Sequence, residues 1–409
     1  MPFSHLPVCL GRAAALARGD SSARGDSRAR GAGARARAAR PIAVALALAC
    51  ALPLGAQVPA PAARTLRSAG ALDTAFAAIS ARLSEPGGYF DTDNLISNET
   101  SYQHVLGKLD ELRLRGGAYV GVGPDQNFTY IARLRPELAL IVDIRRDNLL
   151  EHLLFRALFQ LAHDRLAYLA LLLGRPLPPG RRAGEDIERI VAYLDATPMR
   201  QAGLDSAVAA VRHAVLGYGV ALSQQDLTTI ERFHRTFARA GLDLRFETFG
   251  RGAAPYDPTL RQLILERDLD GRRRSYLALE EDFQFVRSLE GRGRVIPVVG
   301  DLAGARALPA IAAFLRERRT AVTAYYASNV DFYLAREGKL PAFIANLRRL
   351  PRASGAVLIR SVFRNQLPQT VPGYASTQLL LRVDDLLAGW DSGSIRSYAD
   401  LNTRALPSR

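Results

Sequence analysis

Short apolar runs alternate with amphipathic stretches in two parts of the chain. Ala118–Val122 and Leu138–Ile144 are apolar and rich in strand-forming residues, and apolar positions at helical spacing lie between them, over residues 128–134. A continuous run such as LALIVDI is typical of a strand that is buried on both faces of a parallel sheet. This stretch therefore predicts a βαβ unit.

The same alternation returns in the C-terminal half. Strands are predicted at 294–300, 320–327, 355–363 and 376–383, with helices at 305–318 and 340–350. About 145 residues separate the second strand from the third, and their spacing predicts helices at 147–173, 185–196, 206–215, 224–240 and 274–289. Connections in α/β units are usually far shorter, so we expect an inserted helical region, residues 148–290, that covers a pocket and selects the substrate.

These patterns predict an α/β fold with a doubly wound, Rossmann-like sheet and a large helical insertion after the second strand. The folded domain is expected to span residues 71–402, with a first helix over 71–83. A second helix is expected to start at Ser97-Asn98-Glu99, a typical cap. The polar segment 85–112 is expected either to fold over a ligand or to be an ordinary helix entry.

A glycine turn and an acid give the first unit its candidate chemistry. Gly121 and Gly123 lack a Cβ, so the backbone can turn tightly and approach a ligand, and Asp125 or Asn127 can cap the next helix. Asp143 lies 20 residues beyond Gly123, a distance at which an acid commonly accepts hydrogen bonds from a ribose. The pattern favours a nucleotide or nucleoside ligand over an ordinary strand-to-helix turn.

Three predicted strands are followed by a polar residue: Asp143, Asp301 and Asn329. The carboxyl ends of strands in an open α/β sheet border one crevice, so these side chains are expected to converge on one ligand. His152 and His163 lack metal-ligand spacing and are expected to be solvated or satisfied in the core. No metal site is predicted.

Composition, at 48% hydrophobic residues, fits a globular protein of 409 residues. The net charge of +14 is partly local, because residues 1–40 hold eight Arg and two Asp in a low-complexity stretch that we expect to be disordered. The positive charge of the rest of the chain does not by itself predict a nucleic-acid partner. The two cysteines, Cys9 and Cys50, both precede the expected domain.

Residues 41–57 have the basic flank, apolar run and small residues of a secretory signal, with cleavage expected after Ala56. A Pro/Ala-rich linker is expected over 58–70, and Cys50 is an alternative lipid-anchor position. The protein is expected to be exported if this leader is used, and cytoplasmic if translation starts downstream. No other membrane contact is expected.

The glycine turn, the spaced acid and the later strand tips resemble class I S-adenosylmethionine-dependent methyltransferases over roughly residues 85–145 and 290–385. Within that superfamily, Asn98-Glu99-Thr100-Ser101-Tyr102, Gly300-Asp301-Leu302 and Ser328-Asn329-Val330-Asp331-Phe332 are similar, in the same order, to motifs of Dot1-like methyltransferases. EPGGYFDTDNLISNE and GVGPDQNFTYIA also resemble an uncharacterised bacterial family.

The resemblance implies S-adenosylmethionine as cofactor and a small-molecule or protein methyl acceptor. The residues that it implies for cofactor binding are Glu99, Thr100, Gly121, Gly123, Pro124, Asn127, Asp143, Ile144, Asp301 and Leu302. The candidates for orienting the acceptor are Asn329, Asp331 and Tyr102. Two positions depart from the pattern: Tyr119 replaces an acid before the first glycine, and Pro124 follows the second.

Two other functions stay open on the sequence alone. The leader favours an exported binding protein that keeps the fold without catalysis, because S-adenosylmethionine is normally not supplied outside the cytoplasmic membrane. A nicotinamide-dependent oxidoreductase would also use glycines and a ribose acid, but GVGPDQ lacks the third glycine of that fingerprint. Serine hydrolases are disfavoured because no G-x-S-x-G turn occurs.

Overall fold

Six strands form the sheet that organises the protein. A computed structural model describes residues 69–407, apart from 93, 180–183, 251 and 364–365. The strands are β1 (Ala118–Gly121), β2 (Leu138–Asp143), β3 (Val295–Val299), β4 (Val322–Ser328), β5 (Arg352–Phe363) and β6 (Ser376–Arg382). Their order in the sheet is β3-β2-β1-β4-β5-β6, and only β6 runs antiparallel to its neighbour. The predicted α/β class and mostly parallel sheet are confirmed.

Fifteen α-helices surround this sheet in the described part of the chain. They are α1 (Ala69–Leu83), α2 (Leu106–Glu111), α3 (Gln126–Leu134), α4 (Arg146–Leu161), α5 (Arg165–Leu172), α6 (Ile187–Ala196), α7 (Gln201–Leu216), α8 (Gln224–Ala240), α9 (Leu260–Leu265), α10 (Glu280–Gly291), α11 (Ala307–Glu317), α12 (Val330–Arg336), α13 (Leu340–Arg349), α14 (Val383–Asp391) and α15 (Tyr398–Thr403). Helices α4 to α10 all lie between β2 and β3, where the sequence predicts an insertion. None of the described helices is both long and apolar enough to cross a membrane.

Strands β1, β2 and β3 are buried along their whole length, which explains their continuous apolar runs. In the parallel register, Gly121 lies opposite Ile141 on β2 and opposite Tyr326 on β4, while Asp143 lies opposite Val299. The carboxyl ends of β1 to β4 therefore meet at one edge. The strand order reverses between β1 and β4, and this is where doubly wound sheets commonly bind ligands.

Three predicted helices differ clearly from the observed ones, and one of them, α7, begins at Gln201 instead of the predicted 206. The stretch 147–173 forms α4 and α5, because Asp164 accepts a hydrogen bond from the backbone N–H of Ala167 (2.8 Å) and starts a new helix. Helix α10 begins at Glu280, later than predicted. The N–H groups of Arg274 and Tyr276 instead donate to side chains of other elements, Gln103 and Thr129, and this holds residues 274–276 outside the helix.

The predicted helix cap at Ser97-Asn98-Glu99 leads into a 3₁₀ turn, Thr100–Gln103, before α2. Ser97 Oγ accepts a hydrogen bond from the N–H of Glu99 (3.1 Å). The Glu99 side chain is used elsewhere, in a buried network with β4 and β6, so it does not close a capping box. The predicted leader, signal at 41–57 and linker up to residue 68 lie outside the described residues.

Candidate ligand-binding cleft

A cleft with about 970 Å³ of empty space lies at the carboxyl edge of the sheet. The glycine turn, the tips of β2, β3 and β4, and the segment from Tyr89 to Asn98 line it, and the insertion contributes Phe246. Its walls are largely apolar, through residues such as Val122, Ile144 and Leu302. Apolar walls with a few convergent polar groups are typical of sites for small molecules and cofactors.

The glycine turn is held in place by buried side chains beneath it. Gly123 has a φ of 83°, in the left-handed region that favours glycine. Asn127 Nδ2 donates to the carbonyls of Val122 (2.9 Å) and Pro124 (2.7 Å), and its Oδ1 accepts from Tyr119 Oη (2.8 Å). Tyr119 thus supports the turn from inside the protein, at the position where the resembled family has an acid.

His152 on α4 supports the same turn. The side chain is buried, and burial lowers the pKa of His152 to about 4, so the imidazole is neutral at physiological pH. Its Nε2 lies 2.9 Å from the carbonyl oxygen of Gly123. Because a carbonyl can only accept, the proton must reside on Nε2. The insertion therefore fixes the conformation of the turn through α4.

Gly121 is required for a reason other than the predicted one. A Cβ at this position would lie 1.9 Å from Asn127 Oδ1 and 2.7 Å from the Tyr119 ring. Gly121 does not line the cleft. The missing Cβ makes room for the side chains that support the turn, so Gly121 contributes to the cleft indirectly.

We expect Gly121→Ala to lower the free energy of unfolding by about 1–3 kcal/mol, the usual cost of overpacking a well-filled interior. Urea denaturation measures this change. Gly291→Ala is the matched control, because nothing lies within 4 Å of a Cβ there and the residue is helical. A control change below about 1 kcal/mol is expected. Equal effects at both positions would contradict the packing explanation.

Asp143 lines the cleft at the tip of β2 and is held by Arg145. The backbone N–H (2.9 Å) and Nε (3.1 Å) of Arg145 donate to Oδ1, and Nη2 donates to Oδ2 (3.0 Å). Both side chains are buried, with 5% and 6% of their surface exposed. Each carboxylate oxygen can accept two hydrogen bonds, so Oδ2 retains capacity for a ligand hydroxyl.

Asp301 and Leu302 follow β3 and both line the cleft. Glu85 holds this turn, because its Oε1 accepts from the N–H of Asp301 (2.7 Å) and its Oε2 from that of Ala307 (3.3 Å). Lys339 Nζ lies 3.9 Å from Asp301 Oδ2 and 2.7 Å from Glu337 Oε2. Among the described residues, the charged side chains that line the cleft are three carboxylates and two cations, so this lining is slightly acidic in a basic protein.

Ser328 and Asn329 form the rim of the cleft after β4. Ser328 has a φ of 53°, which is unusual for a residue with a side chain and indicates local strain. Its hydroxyl donates to the Glu99 carboxylate, which holds the residue in this conformation. The Asn329 side chain makes no cap to α12 and faces the cleft as a polar group.

Glu99 lies beneath this rim and does not line the cleft. It is 1% exposed and accepts from Ser328, Tyr326 and Gln378. Burial raises the pKa of Glu99, and the hydrogen bonds act in the opposite direction. The implied direct contact of Glu99 with a cofactor is absent from this geometry, and its side chain instead positions Ser328 and Tyr326.

Five other implied residues lie behind the cleft or elsewhere in the structure. Thr100, Pro124 and Asn127 do not line the cleft, although Asn127 and Pro124 shape the glycine turn. Asp331 is fully buried against Arg360, so it cannot orient a methyl acceptor in the cleft. Tyr102 is also buried, and its hydroxyl donates to the carbonyl of Leu263 (2.9 Å). The structure brings together Gly123, Asp143, Ile144, Asp301, Leu302 and Asn329.

Several lining residues are not predicted from sequence. Arg145 and Gln126 are each adjacent to a predicted position, but no motif distinguishes them. Tyr89 and Phe90 lie in the polar segment before the glycine turn. Two adjacent aromatic residues in a polar segment were a usable sequence signal, and in the structure Tyr89 is 79% exposed at the mouth of the cleft. Phe246 comes from the insertion, and only the tertiary fold places it here.

A family model described as a domain of unknown function (DUF7790) matches residues 94–174 and 230–380. These segments make up more than half of the chain. The chain belongs to the DUF7790 family. The match omits residues 175–229, which include α6 and α7, and it covers most of the cleft lining from Asn94 onward. No curated protein matches the chain.

Proposed function

We propose that the protein transfers a methyl group from S-adenosylmethionine to an acceptor that enters beside the glycine turn. The observation that carries this proposal is the convergence of Gly123, Asp143, Asp301 and Asn329 on one cleft, in a sheet whose strand order reverses there. When bound, S-adenosylmethionine supplies an electrophilic methyl group on a positively charged sulfur. A slightly acidic, largely apolar cleft suits such a ligand.

The residues at the cleft have matching roles in this proposal. Asp143 Oδ2 has a remaining lone pair, which accepts a hydrogen bond from a ribose hydroxyl. Arg145 keeps the carboxylate in position. Asp301 and the backbone of Leu302 line the cleft and are proposed to recognise the adenine edge, and Ile144 supplies apolar contact. The left-handed Gly123 leaves the turn open to the methionine part.

The chain's contribution to the chemical step is mainly positioning. Methyl transfer needs an acceptor atom in line with the methyl carbon, and holding two reactants together can supply several kcal/mol of the barrier reduction. Asn329 is polar and lies at the rim, where it can orient the acceptor through hydrogen bonds. Ser328, whose hydroxyl donates to Glu99, also contacts this side chain, because its Oγ lies 3.4 Å from Asn329 Oδ1.

Calorimetry with the full chain and S-adenosylhomocysteine, the demethylated product, tests the proposal. We expect one equivalent to bind with a dissociation constant in the micromolar range, about −8 kcal/mol in free energy. Reduced nicotinamide dinucleotide is the control and is expected to give no binding heat. Absence of heat with both S-adenosylmethionine and S-adenosylhomocysteine would contradict the proposal.

The alternative, a binding protein without catalysis, is favoured by one observation at the site. Arg145 already occupies three of the four acceptor positions of Asp143, which leaves less capacity for ribose recognition. The expected export signal fits this alternative as well. A periplasmic location of the mature protein in native cells would favour it over methyl transfer.

A further inference from the structure

The end of the sheet opposite the cleft, where the parallel strands begin, is rich in arginine. The turns that precede these strands are hydrogen-bonded to one another. The N–H of Ala118 donates to the carbonyl of Ala321 (2.8 Å), and the N–H of Val322 donates to that of Pro351 (2.7 Å). An arginine closely precedes each of the five parallel strands, so these side chains lie side by side along one end of the molecule: Arg115, Arg135, Arg294, Arg319 and Arg349.

The exposed arginines at this end are not neutralised by the protein. We give the name arginine edge to the surface formed by Arg115, Arg294, Arg316, Arg318, Arg319 and Arg349. No Asp or Glu oxygen of the described residues lies within 4.0 Å of these guanidinium groups. Nearby carboxylates already have partners, since Glu317 pairs with Arg82 (3.2 Å) and Asp384 pairs with Arg352 (3.2 Å). The arginine edge is therefore a strongly basic surface.

The contacts that hold these side chains are made with neutral groups. Arg316 donates to the carbonyl of Arg349, and Arg318 lies over the Phe314 ring at 4.6 Å. Arg294 Nη1 donates to a backbone carbonyl as well, at 3.4 Å. Each guanidinium has five N–H donors, so these contacts leave donors free for an anion and do not reduce the charge.

Helix dipoles account for part of this arrangement. Arg316 and Arg349 lie in the last turns of α11 and α13, where a positive charge is favourable. Arg115 and Arg294 lie in turns between a helix and a strand, beyond the range of this effect. The row of charges is therefore more than a set of helix ends, and like charges gathered on one face attract anions.

The two ends of the sheet differ in charge. The cleft, at the carboxyl ends of the strands, is lined by three carboxylates and two cations among the described residues. An anionic partner is therefore attracted to the arginine edge and not to the cleft. A partner that is bound at the arginine edge leaves the cleft accessible from the other end of the molecule.

We propose that the arginine edge binds the surface of a membrane that contains anionic phospholipids, with its guanidinium groups donating to lipid phosphates. Arginine suits this contact because its planar group can donate two parallel hydrogen bonds to one phosphate. Clusters of basic residues are the usual means by which proteins bind anionic membrane surfaces. This attachment is separate from the predicted leader and does not depend on the proposed methyl transfer.

Two observations favour a membrane over a nucleic acid. The turns that carry the arginine edge contain no aromatic residue on which an unpaired base could stack: residues 112–117, 135–137, 292–294, 316–321 and 348–351. The predicted signal at 41–57, with Cys50 as an alternative lipid-anchor position, would also bring the chain to a membrane. A single lipid chain holds a protein only weakly, and a basic patch is a common second attachment.

Sedimentation of the full chain with lipid vesicles tests the proposal. We expect binding to phosphatidylcholine vesicles that contain phosphatidylglycerol to be at least about tenfold tighter than binding to phosphatidylcholine alone. Raising the salt from about 0.1 M to about 1 M shortens the Debye length from about 10 Å to about 3 Å and should abolish this preference. A wild-type chain without the preference would overturn the proposal.

A quadruple variant assigns the binding to the arginine edge. Arg316→Gln, Arg318→Gln, Arg319→Gln and Arg349→Gln together should remove most of the preference, whereas lysine at the same four positions should retain it. The matched control replaces four exposed arginines elsewhere, which also have no carboxylate partner among the described residues: Arg189, Arg200, Arg239 and Arg404. This control loses the same charge and keeps the same leader, and its preference should stay within about twofold of wild type.

Urea denaturation shows whether each variant is folded. If the quadruple glutamine variant is not, Arg115→Gln with Arg294→Gln takes its place, since both residues are exposed in turns, and this pair should weaken vesicle binding at least about threefold. Equal losses in the edge and control variants would assign binding to the leader or the net charge and overturn the proposal. Tighter, edge-dependent binding to duplex DNA than to vesicles would make the partner a nucleic acid and would also overturn it.

Discussion

Asp143→Asn is expected to weaken binding of S-adenosylhomocysteine at least tenfold. The substitution keeps the size of the side chain but removes the charge that strengthens a hydrogen bond to a ribose hydroxyl, a loss of about 1.5–3 kcal/mol. It also removes the carboxylate that pairs with the buried guanidinium of Arg145, so some loss of stability is expected. Titration calorimetry gives the affinity, and urea denaturation gives the free energy of unfolding.

The double variant Asp143→Asn with Arg145→Gln separates the two effects. Removing both members of the ion pair avoids the loss of only one of them, so stability should recover relative to the single variant. The affinity should not recover, because the carboxylate acceptor is still missing. An affinity within twofold of wild type in a folded Asp143→Asn variant would show that Asp143 does not bind the ligand.

Arg360→Met is expected to lower the free energy of unfolding by about 3–5 kcal/mol, since it leaves the buried carboxylate of Asp331 unpaired. Both side chains of this pair are inaccessible to solvent, and Arg360 also lies over the Tyr398 ring at 5.2 Å. Burial raises the pKa of Asp331, and Arg360 opposes this rise, so the variant should raise it further. The native variant then binds a proton more readily than the unfolded chain.

Stability of Arg360→Met should therefore increase relative to wild type as the pH falls, because protonation removes the unpaired charge. Urea denaturation at pH 8 and pH 5 measures this difference. The double variant Asp331→Leu with Arg360→Met is the control and should lie close to wild type, since apolar residues often replace buried ion pairs without loss. A single-variant cost below about 1 kcal/mol at pH 8 would contradict the explanation.

The fold could be predicted from sequence where the pattern is local. The continuous apolar runs of β2 and β3 indicate strands that are buried on both faces. The long helical stretch between them indicates the insertion. The break between α4 and α5 and the late start of α10 could not be predicted by periodicity alone. Each depends on specific polar contacts, the Asp164 cap and the distant partners Gln103 and Thr129.

The candidate site was predictable where a residue ends a strand. Asp143, Asp301 and Asn329 all reach the cleft because parallel strands end at the same edge. The prediction that Asp331 orients an acceptor was wrong. Asp331 lies two residues beyond Asn329, on α12, and its side chain is buried against Arg360 instead of facing the cleft. Gln126 carried no sequence signal, since the orientation of its amide depends on the hydrogen bond that Nε2 donates to Tyr326, 200 residues further along the chain.

The insertion between β2 and β3 also bears on how the protein folds. These strands are neighbours in the sheet, yet about 150 residues separate them along the chain. Closing so long a loop costs about 1.4 kcal/mol more entropy than closing a typical 30-residue crossover. Contacts this distant in sequence generally form late, and until β3 docks, the exposed edge of β2 can pair with other chains. We therefore expect aggregation during refolding to depend on how quickly β3 pairs with β2.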